Sequence, residues 1–412
     1  MLEITKKVRS DNQQIACLEH EFLLRVGVLL HRYGTPAYRI ERVMTQISES
    51  LGIQGAFLYT PTALIFSLVD DYGESTYVRR VDSGAIDVDK LIRFDEVLEQ
   101  VEDGQLDLEA AGRELDQIST AKAPFPSWLG TAACGISCAA VAVFFRGTAV
   151  EVLVAGLIGL CVSLLEILPQ KLKWDAGLLE PVAGFFAAAS ALGIASFFPL
   201  DDRLVTLASL IVIVPGLTIT VALTEIAVGH LSAGVARLAG ACTSLLTLTI
   251  GVALGWRLMG AMRDIPEQPM FPLDAAWQWL AIVIAPICFA IVFRARWPQW
   301  PVIVAVSVAG FSASMAIGNQ FGVEFGAFTG ALVVGGGSNL YARLRDRPAL
   351  VPLTPGIIVL VPGSLGYRSL TSFLEHQTLA GVDFAFGMVI VAAALVGGIL
   401  VANVVVPPKR IL

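Results

Sequence analysis

Two Pro-Gly pairs interrupt apolar stretches of this sequence at positions where backbone groups could bind a small polar molecule. Pro215-Gly216 lies within "IVIVPGLTITVALTEIAVG", and Pro362-Gly363 lies within "IVLVPGSLGYRSLTSFLEH". Proline removes a helix hydrogen bond, and glycine lets a ligand approach the backbone closely. A helix that restarts at such a break presents N–H groups with partial positive charge, which suit a carboxylate.

Polar side chains next to the breaks could complete such a site. Thr218, Thr220 and Ser364 are placed to hydrogen-bond a ligand, although serine and threonine in apolar helices often bond to their own helix instead. Arg368 follows Pro362 by six residues and could hold a carboxylate. Asn339 stands in an otherwise apolar stretch and could line the same pathway.

Carboxylates within apolar segments are costly and therefore indicate function. Glu225 lies ten residues after Pro215, which is about 15 Å along a helix. One hypothesis is that Glu225 accepts a proton or a ligand ammonium; the alternative is a solvated carboxylate at a helix end. The same role is open to the other acidic residues expected on that side, Glu166, Asp175 and Glu180.

Composition divides the chain into two parts. Residues 1–126 hold 21 Asp and Glu against 13 Lys and Arg, whereas residues 127–412 hold 14 against 15. The whole chain is 55% hydrophobic and 15% charged. This pattern predicts an acidic soluble domain, over residues 1–120, joined to a membrane domain. The acidic balance argues against nucleic-acid binding.

The soluble domain reads as a small α+β fold. In "GTPAYRIERVMTQISESLGI", Thr35 is a helix N-cap, Pro36 suits the first helical position, and apolar residues recur from Ile40 to Leu51 on one face. Stretches 55–70 and 74–83 have strand composition. Two more helices are expected near 87–103 and 106–119. The residues His31, Arg32 and Tyr38 could form a site, but a solvated helix junction is the simpler interpretation.

Ten apolar segments are long enough to span a bilayer, which takes about 20 helical residues. With the soluble domain inside the cell, ten Lys and Arg fall in the inner loops, the tail or near an inner segment end: Lys171, Lys173, Arg237, Arg294, Arg296, Arg343, Arg345, Arg347, Lys409 and Arg410. Five fall on the outer side: Arg146, Arg203, Arg257, Arg263 and Arg368. This bias places both termini in the cytoplasm. The segments are 127–145, 149–168, 180–199, 204–228, 232–256, 275–293, 299–318, 322–342, 349–372 and 383–406.

The two Pro-Gly pairs belong to an internal repeat. At an offset of 147 residues, Pro215-Gly216 aligns with Pro362-Gly363, Ala233-Gly234 with Ala380-Gly381, and Gly251 with Gly398. The membrane domain is then two repeats of five helices, over 121–260 and 270–412. An odd number of spans gives the halves opposite orientations, and inverted repeats with broken helices are typical of secondary transporters.

Three motifs in this order resemble the threonine/serine exporter family. They are "LLHRYGTPAYRIERVMTQISESLGI", "VPGLTITVALTEIAVGHLSAGVARLAGA" and "LVPGSLGYRSLTSFLEHQTLAGVDFAFGM". The resemblance implies export of small amino acids, driven by the membrane potential or a proton gradient. Glu225 stands where the family commonly has an aspartate, so the carboxylate is kept with one more methylene.

The sequence thus predicts a mainly α multi-pass protein of the cell (inner) membrane that exports threonine, serine or similar solutes. Alternatives are an exporter of small dicarboxylates such as succinate, and a channel or sensor that uses the soluble domain. Motifs of zinc enzymes, serine hydrolases and P-loop ATPases do not occur. We therefore expect no enzyme activity, no cofactor and no metal site. The sequence is compatible with a homo-oligomer, and the lipid bilayer is the expected environment.

Overall fold

The N-terminal region combines helices with one small antiparallel sheet, in agreement with the α+β prediction. The computed structural model describes residues 18–71, 73–82, 84–166, 177–260 and 273–408. Three strands pair in the order β1-β2-β3, each antiparallel to the next. The elements are α1 (18–32), α2 (Ala37–Ser50), β1 (Gln54–Tyr59), β2 (Ala63–Asp70), β3 (Gly73–Arg80), α3 (Val88–Glu102) and α4 (Leu108–Thr120).

The core of this region follows from the two side-chain periodicities. On β2, Leu64, Phe66 and Leu68 alternate along the strand and are all fully buried. The predicted apolar face of α2 is confirmed, since Ile40 and Met44 are also fully buried and belong to the same cluster. Strands bury every second residue, and helices bury every third or fourth, so one layer of each encloses the core.

Two local predictions need correction. The stretch 55–70 is not one strand, because Thr60 turns the chain and hydrogen-bonds both the N–H and the carbonyl of Ala63. The N-cap position of α2 is Pro36 rather than Thr35, and it makes no side-chain cap hydrogen bond. The Thr35 hydroxyl is buried without a partner among the described residues. The cap of α2 therefore has to come from elsewhere.

The rest of the described chain is helical and apolar. Five helical stretches are long and apolar enough to cross a membrane: Ser127–Phe144, Leu231–Gly260, Trp297–Phe321, Leu350–Leu374 and Thr378–Val405. Helix lies in each of the ten predicted segments, while their crossing of the bilayer as a five-plus-five repeat stays a prediction. The helices are α5 (Ser127–Phe144), α6 (Ala149–Leu165), α7 (Leu179–Ala195), α8 (Asp202–Leu210), α9 (Gly216–Ala227), α10 (Leu231–Gly260), α11 (Ala275–Val292), α12 (Trp300–Phe321), α13 (Val323–Arg345), α14 (Leu350–Ile358), α15 (Gly363–Leu374) and α16 (Thr378–Val405).

The predicted breaks at the two Pro-Gly pairs are confirmed. Helix α8 ends at Leu210, and α9 begins at Gly216 with Pro215 as its N-cap residue. Helix α14 ends at Ile358, and α15 begins at Gly363 after Pro362. Each break leaves several residues outside regular helix, so helix ends rather than a smooth helix surface meet in the interior.

Glycines let the apolar helices pack at backbone distance. A Cβ on Gly251 of α10 would lie 2.0 Å from the carbonyl oxygen of Pro181 on α7. A Cβ on Gly326 of α13 would lie 2.5 Å from the Ser314 carbonyl oxygen on α12. In lipid no hydrophobic effect drives helices together, so helices associate through van der Waals packing, which small residues at such contacts allow.

Ion pairs attach the N-terminal region to the apolar helices. Asp87 and Asp89, at the start of α3, contact Arg294 at 2.9 Å and Arg296 at 2.6 Å. A third pair joins Arg347 to Glu96. The loops after α11 and α13 therefore lie on the same face of the molecule as the N-terminal region.

Candidate functional site

A cavity of about 640 Å³ lies where the two broken helices meet. This volume is within the range of roughly 300–1,000 Å³ that is usual for small-molecule sites. A Cβ on Gly216 would lie 2.9 Å from the Cα of Gly363, so only glycine allows the two helix starts to touch. Five of the predicted residues line this central cavity: Pro215, Gly216, Thr218, Gly363 and Ser364. Pro362 is buried next to them.

The starts of α9 and α15 supply the cavity with hydrogen-bond donors. The N–H groups of Leu217, Thr218, Gly363 and Ser364 have no backbone acceptor among the described residues. Neither helix has a side-chain cap. Unpaired N–H groups at a helix start carry partial positive charge and bind anions. Two such starts at one cavity make it suited to a carboxylate.

The ends of α8 and α14 supply the opposite polarity. Residues 211–214, which follow α8, line the cavity together with Ile358 and Val359 at the end of α14. Carbonyl groups at a helix end carry partial negative charge and attract cations. The central cavity therefore combines a positive and a negative backbone end from each broken helix, and this combination matches a small zwitterion.

The polar side chains near the breaks differ in what they offer. Thr218 and Ser364 line the cavity, and within the described part of the chain their hydroxyls have no hydrogen-bond partner. Thr220 instead donates to the carbonyl of Gly216 at 3.2 Å and is buried outside this cavity. Its hydroxyl already bonds to its own helix, and its role as a ligand group stays a prediction.

Aromatic rings form the walls of the cavity. The rings of Phe144 and Phe311 lie 5.1 Å apart between centroids. The guanidinium of Arg368 lies 5.0 Å from the centre of the Phe145 ring, at the edge of the cavity. Of the described residues that line the cavity, none is ionisable. Backbone dipoles act strongly here, since an apolar surrounding screens them little. The aromatic lining residues are Phe144, Phe145, Phe289, Phe293 and Phe311.

One of the four predicted acidic residues connects to the cavity. Ser244 of α10 lines it, and its hydroxyl donates to Glu180 Oε1 at 3.1 Å. Glu166 is half-buried at the end of α6, away from the lining residues. Asp175 lies outside the described residues.

Glu225 has a different environment from the one expected. It is fully buried, so the interpretation as a solvated carboxylate is wrong. Its oxygens accept from Arg237 Nε at 3.0 Å and from Arg237 Nη2 at 3.1 Å. The same carboxylate accepts from the N–H of Ala37 at 2.9 Å. Glu225 is therefore the missing cap of α2, and its charge is neutralised by Arg237.

Asn339 also lies apart from the central cavity. It is 1% exposed, and its amide nitrogen donates to Asn403 Oδ1 at 2.9 Å and to the Val406 carbonyl at 2.8 Å. Both partners belong to α16 or its end. The prediction that Asn339 lines the pathway is not supported by this position, which joins α13 to the end of α16.

The three residues at the α1–α2 junction do not form one site. The buried His31 ring lies 3.1 Å from the carbonyl of Pro61, and Arg32 is exposed. Burial lowers the pKa of His31; the Pro61 carbonyl opposes the shift, and Arg237 adds to it. Tyr38 lines a separate polar cavity together with His230.

Sequence reasoning missed the aromatic walls, Ser244 and the partners of Glu225. The phenylalanines occur in segments so apolar that no periodicity distinguishes a cavity face from a lipid face. Arg237 was visible as a charge near a helix start, but its partner is twelve residues away in another helix. The available signal for this ion pair was that Glu225 lies near the end of one predicted segment and Arg237 near the start of the next.

The apolar helices, the two breaks and the cavity between them define a multi-pass membrane protein of the transporter class. Residues 21–259 match a family described as "Putative threonine/serine exporter", and residues 278–405 match one described as "Threonine/Serine exporter, ThrE". The chain belongs to the threonine/serine exporter family, and the predicted resemblance is confirmed.

Curated relatives occur in fungi. "Pheromone-regulated membrane protein 10" of Kluyveromyces lactis is 30% identical over 89% of this chain and 39% of its own length. The protein with that description in Eremothecium gossypii is 29% identical over 85% of this chain and 49% of its own length. The chain thus spans about half or less of the length of these relatives. No solved structure matches it significantly.

Proposed function

We propose that this protein exports threonine, serine or similar small amino acids across the cell (inner) membrane by alternating access. The observation that carries the proposal is the central cavity, bounded by helix starts and helix ends at both Pro-Gly breaks. An amino-acid carboxylate would bind the N–H groups at the starts of α9 and α15. Its ammonium would bind carbonyls at the ends of α8 and α14, and its hydroxyl would bond Thr218 or Ser364.

Alternating access rests on a five-plus-five inverted repeat, which two sets of contacts support. A Cβ on Gly251 would meet the Pro181 carbonyl at 2.0 Å, and one on Gly398 would meet the Phe328 carbonyl at 2.3 Å. Gly251 and Gly398 are 147 residues apart, and so are Pro181 and Phe328. The equivalent residues of the halves thus make equivalent contacts, as two copies of one fold would.

Backbone conformation repeats as well. Arg146 and Arg294 follow α5 and α11, are 148 residues apart, one more than the repeat offset, and both have φ near +60°, an uncommon value for arginine. Gly229 and His376, 147 residues apart, both have positive φ after the broken helices. We accordingly propose domains over 1–120, 121–260 and 270–412, with the first domain and the C-terminus in the cytoplasm.

Coupling to the proton motive force needs an acidic group that senses the cavity. Glu180 is the best candidate of the four, because Ser244 links it directly to the lining. Glu225 is a poorer candidate, since Arg237 and Ala37 already occupy both of its oxygens. We therefore propose that Glu180 carries the coupling proton.

A dicarboxylate such as succinate is the second candidate substrate. The observation in its favour is that two positive helix starts, rather than one, meet at the cavity. Each could bind one carboxylate. The two substrates differ in whether the carbonyl ends of α8 and α14 take part.

Flux of labelled threonine, serine and succinate into proteoliposomes with an imposed pH gradient tests the function. We expect gradient-driven accumulation of an amino acid, lost in Gly363→Ala because its Cβ would push against Gly216 at 3.0 Å. Gly336→Ala is the matched control, since a Cβ there meets no atom within 4 Å among the described residues. Glu180→Gln should transport without response to the gradient.

Each other outcome has a definite meaning. Accumulation of succinate alone would support the central cavity as the substrate site and would show that the substrate is a dicarboxylate rather than an amino acid. Equal flux in Gly363→Ala and Gly336→Ala would exclude the central cavity as the substrate site. Saturable binding without flux of any of the three solutes would favour a sensor.

A further inference from the structure

We propose that Tyr38 and Pro36, in the N-terminal region, gate a route from the central cavity to the face on which that region lies. The proposal rests on the proposed transport function but assigns a role to a part of the chain outside the apolar helices. Three cavities follow one another along α9.

The first link in the route is a small chamber of about 50 Å³ next to the central cavity. Leu217 lines both spaces and therefore lies between them. Residues of α9, α14 and α16 form the walls of the chamber. Its lining includes Thr220 and Thr224 of α9, Thr354 of α14, and Pro36 and Tyr38 at the start of α2.

The second link is an outer vestibule of about 860 Å³ between α2 and the end of α16. Tyr38 and Thr224 line both the vestibule and the chamber, so these two side chains form the boundary between them. The tyrosine ring is the larger of the two. Its removal would join the chamber to the vestibule and leave Leu217 as the last barrier.

The charges of the vestibule suit a small zwitterion. They include both signs, and His230, which also lines the vestibule, lies 3.3 Å from Glu41. A solute with one carboxylate and one ammonium can exchange partners here without leaving an unpaired charge behind. The charged lining residues are Arg39, Glu41, Arg42 and Glu49.

Glu225 connects this gate to the central cavity. Its carboxylate holds the N–H of Ala37, the residue between Pro36 and Tyr38. It also lies on α9, the helix whose first residue is Gly216 at the cavity. A shift of α9 on substrate binding would therefore move the group that holds the gate. A two-state element that both sites contact is the physical requirement for such coupling.

The equivalent position in the second half carries a ring of its own. At the 147-residue offset, Tyr367 of α15 takes the place of Thr220, and it is only 2% exposed. Beyond it, Glu375 pairs with Arg203 at 3.0 Å. A tyrosine ring is thus part of α15 at the position where α9 has the smaller Thr220, and beside Thr220 the ring is supplied by Tyr38 of the N-terminal region.

Thiol accessibility in lipid nanodiscs tests the gate. The reporter is Thr354→Cys, in a chain whose six native cysteines are replaced by alanine. We expect Tyr38→Ala to increase the reaction rate of this thiol with a small, charged methanethiosulfonate several-fold. Tyr38→Phe keeps the ring and should leave the rate unchanged. Tyr77→Ala, which removes a ring from β3, is the matched control and should also leave it unchanged.

Accessibility distinguishes this proposal from the transport proposal, because the rate is measured without substrate or flux. An unchanged rate in Tyr38→Ala, with thermal unfolding like that of the reporter chain, would overturn the gate even if transport is confirmed. An equal increase in Tyr77→Ala would also overturn it, since any loosening of the N-terminal region would then suffice. If the thiol reaction rate increases only in Tyr38→Ala and no variant transports any of the three solutes, the gate is supported and the identity of the substrate is not.

Discussion

At the scale of single residues, the threonines of α9 show that side-chain type alone does not identify a ligand group. Thr220 and Thr224 both donate to carbonyls of their own helix, at 3.2 and 2.8 Å. Thr218 lies in the first turn of the helix, and its hydroxyl faces the central cavity. The break at Pro215 is thus what frees this one hydroxyl for a ligand.

Replacing Thr218 by valine should weaken substrate binding. Valine keeps the shape but loses one hydrogen bond, which contributes about 0.5–1.5 kcal/mol, so we expect KM to increase roughly two- to tenfold. Thr220→Val is the matched control, because its hydroxyl bonds to the helix rather than the cavity, and its KM should stay close to wild type. The measurement is initial transport rate against substrate concentration. Equal effects of both variants would contradict the assignment of Thr218.

His31 should make the protein less stable in acid. Burial lowers its pKa, with the Pro61 carbonyl and Glu225 opposing and Arg237 adding to the shift. The unfolded chain binds a proton below about pH 6.5, whereas the folded chain does not until a lower pH. Stability is therefore lost as the pH falls through 6.5.

Thermal unfolding between about pH 7.5 and 5.5 measures this contribution. The decrease in Tm over that range should be smaller in His31→Gln than in wild type. His376→Asn is the control, because His376 is exposed and asparagine accepts its positive φ. An unchanged pH dependence in His31→Gln would show that other groups dominate the acid response.

At the scale of helices, Glu225 serves as a cap that two elements share. It lies in the last turn of α9, accepts a hydrogen bond from the Ala37 N–H at the start of α2, and pairs with Arg237 of α10. A buried carboxylate needs such partners, since desolvation of an unpaired charge is costly. The three helices should therefore lose stability together when one partner is removed.

Arg237→Leu should strongly destabilise the protein, because it leaves Glu225 buried without its countercharge. Loss of one partner of a buried pair costs about 3–5 kcal/mol. The double variant Glu225→Leu with Arg237→Leu removes both charges and should be more stable than Arg237→Leu alone. Thermal or denaturant unfolding of the three proteins provides the comparison. A double variant less stable than either single variant would contradict this view of the pair.

The same helices show what the sequence could and could not predict. The breaks at Pro215 and Pro362 were predictable, because proline acts on the local backbone whatever surrounds it. The cap of α2 was not, because the acceptor lies 188 residues away, and Thr35 is a good N-cap by type alone. The partner of Asn339 was hidden for a related reason, since Asn403 is distant in sequence. Tertiary partners of polar groups do not appear in local patterns.

At the scale of the whole molecule, charges near the helix ends have two roles. Arg294, Arg296 and Arg347 contributed to the predicted inward excess of positive charge, and all three pair with carboxylates of α3. Topology and docking therefore agree, because the loops expected inside are the ones that bind the N-terminal region. The positive-inside pattern carries information about domain contact as well as orientation.

The opposite orientation of the two halves leads to a direct prediction about equivalent residues. Leu231 and Thr378 begin α10 and α16, lie 147 residues apart and are both exposed. In an inverted repeat they must lie on opposite sides of the membrane, because five spans separate them. A membrane-impermeant thiol reagent should thus label Thr378→Cys only in right-side-out vesicles and Leu231→Cys only in inverted ones. Labelling of both from one side would exclude the inverted repeat and, with it, the proposed mechanism of alternating access.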